Sequence, residues 1–263
     1  MLPDDILMTI CPKVDETHVS SVSLNAFITV VTHGLTIRMN DDRLEGDKER
    51  LIRRLKESGY LASVQVERAF RAVPREEFVL PEMASEAYRD TPLPILNGQT
   101  ISAPHMCAIM CEALRLTEGM RILEIGAGSG YHAALCAEIV APKGTNRPGH
   151  VYTVEIVKGL IGFASSNLER TGYADRVTLI HGDGGKGLPQ HAPFDRVLVT
   201  AAAPSVPSPL VEQLCVNGIM LIPVGSHGFF QELIIIEKGK DAKLKRTNWG
   251  GVAFVPLTGE YGR

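Results

Sequence analysis

The sequence lacks a strong charge of either sign, and it lacks any long apolar run. Its 27 Lys and Arg residues nearly balance 30 Asp and Glu residues, for a formal net charge of −3, so there is no broad basic field to hold nucleic acid by charge alone. No segment approaches the roughly 20 consecutive apolar residues that cross a bilayer. The amino end carries Asp4 and Asp5 where a secretory signal is basic. These absences predict a protein with neither nucleic-acid nor membrane partners.

The sequence also lacks a regular cysteine pattern. Its five cysteines are odd in number, widely scattered and mostly inside apolar segments, which argues against a disulfide framework. This usage is typical of a reducing cytosol, and it predicts a cytoplasmic location. Cys107 and Cys111 share a helix face with His105 close by, but a metal site needs more ligands within reach. We therefore interpret them as buried core thiols and predict no metal.

At 263 residues, of which 44% are hydrophobic, the chain is long enough to bury one full core and to carry an extension. We interpret residues 1–38 as an N-terminal extension, which is a strand, a disordered leader or sequence upstream of a native start at Met39. Amphipathic patterns predict an N-terminal helical part over residues 39–117, and the main domain occupies residues 118–263. We expect a monomer.

The stretch MRILEIGAGSGYHAA, residues 120–134, organises the rest of the chain. An apolar run stops abruptly at Gly126, Gly128 and Gly130, which predicts a buried strand, a tight turn and the start of a helix. Glycine lets the backbone approach a ligand closely, and a helix start offers free N–H groups to an anion. The alternative is that the glycines only pack strand against helix. The acidic Glu124 beside them favours a nucleotide cradle.

Strands and helices alternate after this loop. That order predicts an α/β fold with a mostly parallel, doubly wound sheet, because each crossover places its helix on a face of the sheet. The segments QELIIIEKG and WGGVAFVPL follow the last such unit with no room for helices, so we expect a terminal antiparallel hairpin. Ahead of the domain, the stretch RDTPLPILNGQT is too rich in proline and glycine for regular structure, and we expect it to cover something.

In such a sheet, ligands lie beyond the carboxyl ends of the strands. The second strand of the domain ends at Glu155, whose two carboxylate oxygens suit the hydroxyls of a ribose; the alternative is an exposed strand-end acid. The third ends at Asp183, an acceptor for an adenine amino group, and Gly184 adds a backbone donor. The alternative there is a plain Asp-Gly turn.

The spacing of the glycines bears on which nucleotide is bound. A dinucleotide fingerprint runs GxGxxG, but Tyr131 stands at its third glycine position, which argues against a nicotinamide dehydrogenase. The form ExGxGxG resembles the first motif of class I methyltransferases that use S-adenosylmethionine. The cofactor-binding residues predicted in this loop are Glu124, Gly126, Gly128, Ser129 and Gly130.

A longer set of segments resembles one family. In chain order these are GQTISAPHM (Gly98–Met106), LEIGAGSGY, HGDG (His181–Gly184), PFDRVLVTAAAPSVP, LIPVG and FVPLTG. Together they closely resemble the protein-L-isoaspartate O-methyltransferase family over about residues 44–262. The resemblance implies a class I S-adenosylmethionine-dependent methyltransferase fold. Residues 118–263 would then be the Rossmann-like cofactor domain, and residues 39–117 would hold the substrate-cleft loop.

The resemblance also implies a reaction. S-adenosylmethionine would donate its methyl group to the free α-carboxyl of L-isoaspartyl residues in damaged proteins and peptides, and the ester would collapse through a succinimide to L-aspartyl. In the family, the serine that matches Ser102 is the active-site residue, and its hydroxyl would hold one carboxylate oxygen while the other attacks. Ser102 also stands where it would cap a helix.

The resemblance implies further contacts and leaves alternatives open. Thr100 and Ile101 would line the substrate cleft, and Thr258 would lie near the cofactor. His105 either contacts substrate or cofactor, or packs at a helix start. A class I methyltransferase with another acceptor and a non-catalytic S-adenosylmethionine-binding adaptor for altered peptides are the competing functions.

Overall fold

The computed structural model describes residues 42–225 and 230–262. The extension predicted over residues 1–38 lies outside the described residues. The helices in the described part are α1 (42–57), α2 (Val64–Ala72), α3 (Pro104–Leu114), α4 (Tyr131–Val140), α5 (Lys158–Arg170) and α6 (Ser208–Glu212). Within those residues, no helix combines the length and apolar character that a membrane crossing requires. The predicted boundary at residue 117 falls after α3.

The strands of the described residues are β1 (Leu93–Pro94), β2 (Thr100–Ile101), β3 (Arg121–Ile125), β4 (His150–Glu155), β5 (Val177–His181), β6 (Phe194–Val199), β7 (Leu214–Gly225), β8 (Gln231–Lys238) and β9 (Leu244–Val252). The main sheet has the order β5-β4-β3-β6-β7-β8-β9. Its first five strands are parallel, and β8 and β9 are antiparallel to their neighbours. The predicted parallel sheet and terminal antiparallel hairpin are confirmed.

The N-terminal helices form where amphipathic patterns predicted them. In α1, Leu51, Ile52 and Leu55 are at most 2% exposed. Ser63 caps α2, since its Oγ accepts a hydrogen bond from the Val66 amide at 3.3 Å. The buried face of α2 packs against α4. This part therefore rests on the helix that follows the glycine loop.

The stretch RDTPLPILNGQT contains more regular structure than its prolines and glycine predict. The prediction of no regular structure is wrong, because β1 lies in this stretch and pairs antiparallel with β2, which begins at its last residue. Each strand is only two residues long, and together they form a two-stranded sheet. The missing N–H of Pro94 therefore does not interrupt a longer row of hydrogen bonds between strands. A turn joins them at Asn97 and Gly98, which both take positive φ. Ile95 lies over the glycine loop, so the stretch does cover something.

The boundaries of two predicted elements were also wrong. The last strand, predicted as WGGVAFVPL, is β9 and ends at Val252. The chain beyond it turns back to the end of β6, where Pro256 bridges to Ala202. β9 is an exposed edge strand, and such a strand does not need apolar side chains. Its first half is largely polar, so no apolar run marks it in the sequence. The helix predicted around residues 210–214 is α6, which begins and ends two residues earlier. Leu214 is already the first residue of β7.

The core lies at the centre of the main sheet. Leu123 of β3, Val197 of β6 and Met220 of β7 belong to one fully buried cluster. Because β4 and β6 flank β3 on opposite sides, the connections leave β3 and β6 in opposite directions and open a crevice at their carboxyl ends. That crevice is where the sequence places its candidate ligand-binding residues.

Candidate active site

The glycine loop after β3 forms the floor of a cavity. Gly126, Gly128 and Gly130 take φ of +96°, +56° and +87°, values that residues with side chains rarely adopt. A Cβ at Gly126 would lie 2.5 Å from Thr200 Oγ1. That hydroxyl lies 2.9 Å and 2.8 Å from the carbonyl oxygens of Ile125 and Gly126, which holds it in place. The contact therefore requires bare backbone at Gly126.

Glu155 lies at the end of β4 and supports the same loop. It is only 5% exposed. Its Oε2 accepts a hydrogen bond from the Gly128 amide at 2.9 Å, and its Oε1 accepts one from the Val157 amide at 2.9 Å. Each carboxylate oxygen keeps a further lone pair. The carboxylate is thus fixed in orientation and still able to accept hydrogen bonds from a ligand hydroxyl.

The walls of this inner cavity are largely apolar. They come from the ends of β3 and β4, from α5 and from the segment after β9, and include Ile125, Val154, Ile156, Leu160, Val255 and Leu257. The polar lining includes Ser129 and Thr258 as well as Glu155. An apolar pocket with a few oriented polar groups is typical of a small-molecule site.

A wider cleft adjoins the inner cavity. Its volume is about 760 Å³, and its lining includes His105, Met106, Phe230 and Phe254. Phe230 is 95% exposed, so the cleft has an apolar rim in contact with solvent. The residues that line both spaces are Thr100, Ser102, Thr200 and Val255. The two cavities therefore meet at the predicted catalytic serine.

Ser102 does not cap α3. The N-cap position is Ala103, which makes no side-chain cap hydrogen bond. Asp90 caps the helix instead. Its Oδ1 accepts a hydrogen bond from the His105 amide at 2.8 Å and lies 2.9 Å from His105 Nδ1. The Ser102 hydroxyl is consequently not used by the helix. The same carboxylate orients the imidazole of His105 along the cleft.

Glu124 lies behind the cavity wall and does not line it. Its side chain is fully buried, and its Oε2 accepts a hydrogen bond from the Thr153 hydroxyl on β4. Its Oε1 has no partner among the described residues. Burial raises the pKa of Glu124 to about 8, and the charge of Glu155 adds to the rise, while the Thr153 bond opposes it.

Asp183 and Gly184, the cofactor residues predicted after the strand that is now β5, occupy two different places. Gly184 lines the inner cavity, but Asp183 does not. Asp183 accepts hydrogen bonds from the Gly185 amide at 3.0 Å and the Glu260 amide at 2.8 Å. It therefore ties down the segment that carries Thr258 into the cavity. Gly130, likewise outside the lining, is the N-cap of α4.

A family model described as Protein-L-isoaspartate(D-aspartate) O-methyltransferase (PCMT) matches residues 46–262. The chain belongs to this family. The protein-L-isoaspartate O-methyltransferase of Hyperthermus butylicus is 54% identical over 217 residues, which are 82% of this chain and 90% of that protein. The one from Thermococcus onnurineus is 54% identical over 211 residues, or 80% of this chain and 93% of that protein.

A solved structure agrees with these relatives. A Plasmodium falciparum protein described as a protein-L-isoaspartate O-methyltransferase was crystallised in complex with S-adenosyl-L-homocysteine. It has a TM-score of 0.70 and 29% sequence identity, and the match covers 80% of this chain and 97% of that one. The comparisons confirm the predicted family, the class I methyltransferase fold, the enzyme class and S-adenosylmethionine as the cosubstrate of the family.

Sequence reasoning missed the residue that holds the Ser102 backbone in this PCMT family member. Arg75 is fully buried, and its guanidinium lies over the ring of Tyr131, 4.8 Å from the centroid. It donates hydrogen bonds of 2.8 Å to the carbonyl oxygens of Ala87 and Ser102. Its position after Pro74, in a charged stretch, resembles a solvated surface. No local signal distinguishes it from the charged residues that follow it.

His132 was also missed. It lines the inner cavity and is 6% exposed. Burial, reinforced by the charge of Arg75, lowers the pKa of His132 to about 4, so its ring is neutral at pH 7. Its Nδ1 has no hydrogen-bond partner among the described residues. The predicted burial of Cys107 and Cys111 is correct, but the histidine beside Cys111 is His132 and not His105.

Proposed function

We propose that this chain is a protein-repair enzyme, which transfers the methyl group of S-adenosylmethionine to the free α-carboxyl of L-isoaspartyl residues in damaged proteins and peptides. The observation that carries the proposal is the junction of the two cavities at Ser102 and Thr200. A methyl group can pass between two ligands only where their sites meet in line. The family description supplies the identity of the methyl acceptor, and the S-adenosyl-L-homocysteine complex of the Plasmodium falciparum protein supports that of the donor.

The inner cavity fits S-adenosylmethionine. The glycine loop leaves room for a ligand against bare backbone, and Glu155 is oriented to accept hydrogen bonds from ribose hydroxyls. Ile125, Val154 and Leu160 offer an apolar surface for an adenine ring. When bound, this cosubstrate supplies an electrophilic methyl group on a sulfonium.

We assign Ser102 the role of holding the substrate carboxylate. Its hydroxyl is free to donate a hydrogen bond to one carboxylate oxygen, which leaves the other oxygen to attack. A carboxyl group is already ionised at neutral pH, so the reaction needs no general base. The work of the site is to position the carboxylate and remove its water. Thr100 lines both spaces and would contact the substrate, with His105 further along the cleft. Ile101, which was also predicted to line the substrate cleft, lines only the inner cavity.

The remaining predicted residues would act on the cosubstrate side. Ser129, Gly184 and Thr258 contribute lining, and their contacts to the cosubstrate remain proposals. We assign indirect roles to Glu124 and Asp183, because the first pairs with β4 and the second ties down the C-terminal segment.

The proposal includes the setting in which the enzyme works. We place it in the cytoplasm as a monomer, acting on isoaspartyl-containing proteins and peptides. Its formal net charge of −3 gives no reason to expect nucleic-acid binding.

The test uses two peptides that differ only in aspartate or isoaspartate at one position, with radiolabelled S-adenosylmethionine. We expect base-labile methyl ester on the isoaspartyl peptide alone. Ser102→Ala should slow the transfer about 10- to 150-fold, the equivalent of one hydrogen bond to a charged group. Ser208→Ala is the matched control, because Ser208 is exposed on α6 and lines neither cavity.

The outcomes separate the competing functions. Label on neither peptide, with the cosubstrate still bound, would favour the adaptor or another acceptor and would contradict the repair activity. Equal rates for Ser102→Ala and Ser208→Ala would leave the activity standing but would remove the role assigned to Ser102.

A further inference from the structure

Two cysteines and a histidine form a buried cluster beneath the inner cavity. Cys111 comes from α3, and His132 and Cys136 lie four residues apart on one face of α4. Their sulfur and nitrogen atoms all lie within 4.8 Å of one another, and all three residues are buried. The methyl-transfer chemistry uses none of them.

The three side chains are spaced closely enough for a tetrahedral metal site. Zinc–sulfur bonds of about 2.3 Å and zinc–nitrogen bonds of about 2.0 Å place a sulfur and a nitrogen ligand about 3.5 Å apart, and two sulfurs about 3.8 Å apart. Cys111 Sγ lies 3.5 Å from His132 Nε2. Cys136 Sγ lies within 4.8 Å of the Cys111 sulfur and of a ring nitrogen of His132. Small side-chain rotations would complete the site.

The chemistry of the three groups selects the kind of ion. Thiolate and imidazole together favour thiophilic ions such as Zn²⁺, Cd²⁺ and Cu⁺ over Mg²⁺ or Ca²⁺. A divalent ion that replaces the two thiol protons forms a neutral unit with Cys111 and Cys136, and the protons pass to solvent. A neutral unit avoids burying a net charge near the Arg75 guanidinium.

The inner cavity gives the cluster an entry path. His132 lines that cavity, whereas Cys111 and Cys136 lie below it. An ion could therefore reach the cluster through the cavity, and water from the cavity could fill a fourth coordination position.

We propose that Cys111, His132 and Cys136 form a binding site for one thiophilic metal ion, of the zinc and cadmium class, beneath the cosubstrate cavity. The proposal is independent of the methyl-transfer function, which needs no metal.

The test titrates Cd²⁺ into the reduced, chelator-treated full chain and records the ultraviolet thiolate-to-cadmium charge-transfer band. We expect saturation at one ion per chain. Cys111→Ser and Cys136→Ser should each lose the band at the same cadmium concentration. Cys107→Ser and Cys215→Ser are the matched controls and should keep it, because neither residue belongs to the cluster.

X-ray absorption of the cadmium-loaded natural chain tests the site without any variant. Two sulfur ligands and one nitrogen ligand would support the proposal, even where a serine variant fails to fold. A coordination shell without sulfur, the absence of the band in the natural chain, or an undiminished band in the folded Cys111→Ser and Cys136→Ser variants would overturn it.

Discussion

Replacing Gly126 by alanine tests the contact between the glycine loop and the end of β6. Two separate costs follow from the structure. The backbone at Gly126 has φ +96°, where an L residue is strained, and the new Cβ would meet Thr200 Oγ1 at 2.5 Å. The strain belongs to Gly126 alone, whereas the overlap depends on Thr200.

The two costs can be estimated separately. A left-handed backbone at a residue with a side chain costs about 1–2 kcal/mol. Overpacking a well-ordered site costs about 1–3 kcal/mol, here because the Thr200 hydroxyl must leave the carbonyls it contacts. Gly126→Ala should therefore lower the free energy of unfolding by about 2–5 kcal/mol. With Thr200→Ala already present, the nearest remaining atom is the Thr200 Cβ at 3.8 Å, so only the strain should remain.

The assay is urea unfolding of the four chains of this double-mutant cycle, with S-adenosylmethionine affinity measured alongside. Gly162→Ala is the matched control. Gly162 is exposed on α5, and a Cβ there would meet nothing within 4 Å. Alanine in a helix interior is favoured over glycine, so this control should stabilise the chain by about 0.5–1 kcal/mol. Glycine to alanine is thus expected to lower the free energy of unfolding at position 126 and to raise it at position 162.

The reasoning would be refuted if Gly126→Ala cost the same in both backgrounds, because the overlap with Thr200 would then contribute nothing. It would also be refuted if the affinity for S-adenosylmethionine were unchanged in the folded variant, because the Gly126 backbone lines the cavity.

Three further predictions concern buried polar groups. Arg75→Lys should lower the free energy of unfolding by about 1.5–3 kcal/mol and slow methyl transfer, because a single lysine nitrogen would replace two guanidinium nitrogens that each donate to a different carbonyl; unchanged urea stability would remove its positioning role. The folded chain holds Glu124 protonated up to about pH 8, whereas an exposed glutamate loses its proton near 4.5, so this contribution to stability falls as the pH rises between those values. Glu124→Gln should remove that fall, and equal pH slopes for both chains in urea would contradict the assignment. Asp183→Asn should speed hydrogen exchange at the Glu260 amide and weaken S-adenosylmethionine binding, and unaltered exchange would show that the segment is held by other contacts.

Much of the fold was accessible from the sequence because the signals are local. The alternation of strands and helices, the stop at the glycines and the acid at the end of β4 all appear in short windows of residues. Glu155 could be assigned to the crevice since the carboxyl ends of parallel strands meet at one edge.

The remainder depends on contacts between distant residues. Asp90 caps α3 from 15 residues upstream of His105, so the pattern around Ser102 mistakenly suggested a cap at the serine itself. The Asp183 carboxylate is taken by an amide 77 residues away, which no local pattern reveals. The partnership of Cys111 with His132 likewise appears only once α3 and α4 pack.

The segment from Val255 to Thr258 closes the inner cavity, although the glycine loop that forms its floor comes much earlier in the chain. During synthesis, the loop emerges from the ribosome and can fold long before its cover exists. A nascent chain that has formed β3 to β6 therefore presents the glycine loop and Glu155 without the wall formed by Val255 to Thr258, so S-adenosylmethionine should stabilise it less than the finished domain. The cosubstrate should therefore favour chains whose C-terminal segment has already docked, which links its binding to the completion of folding.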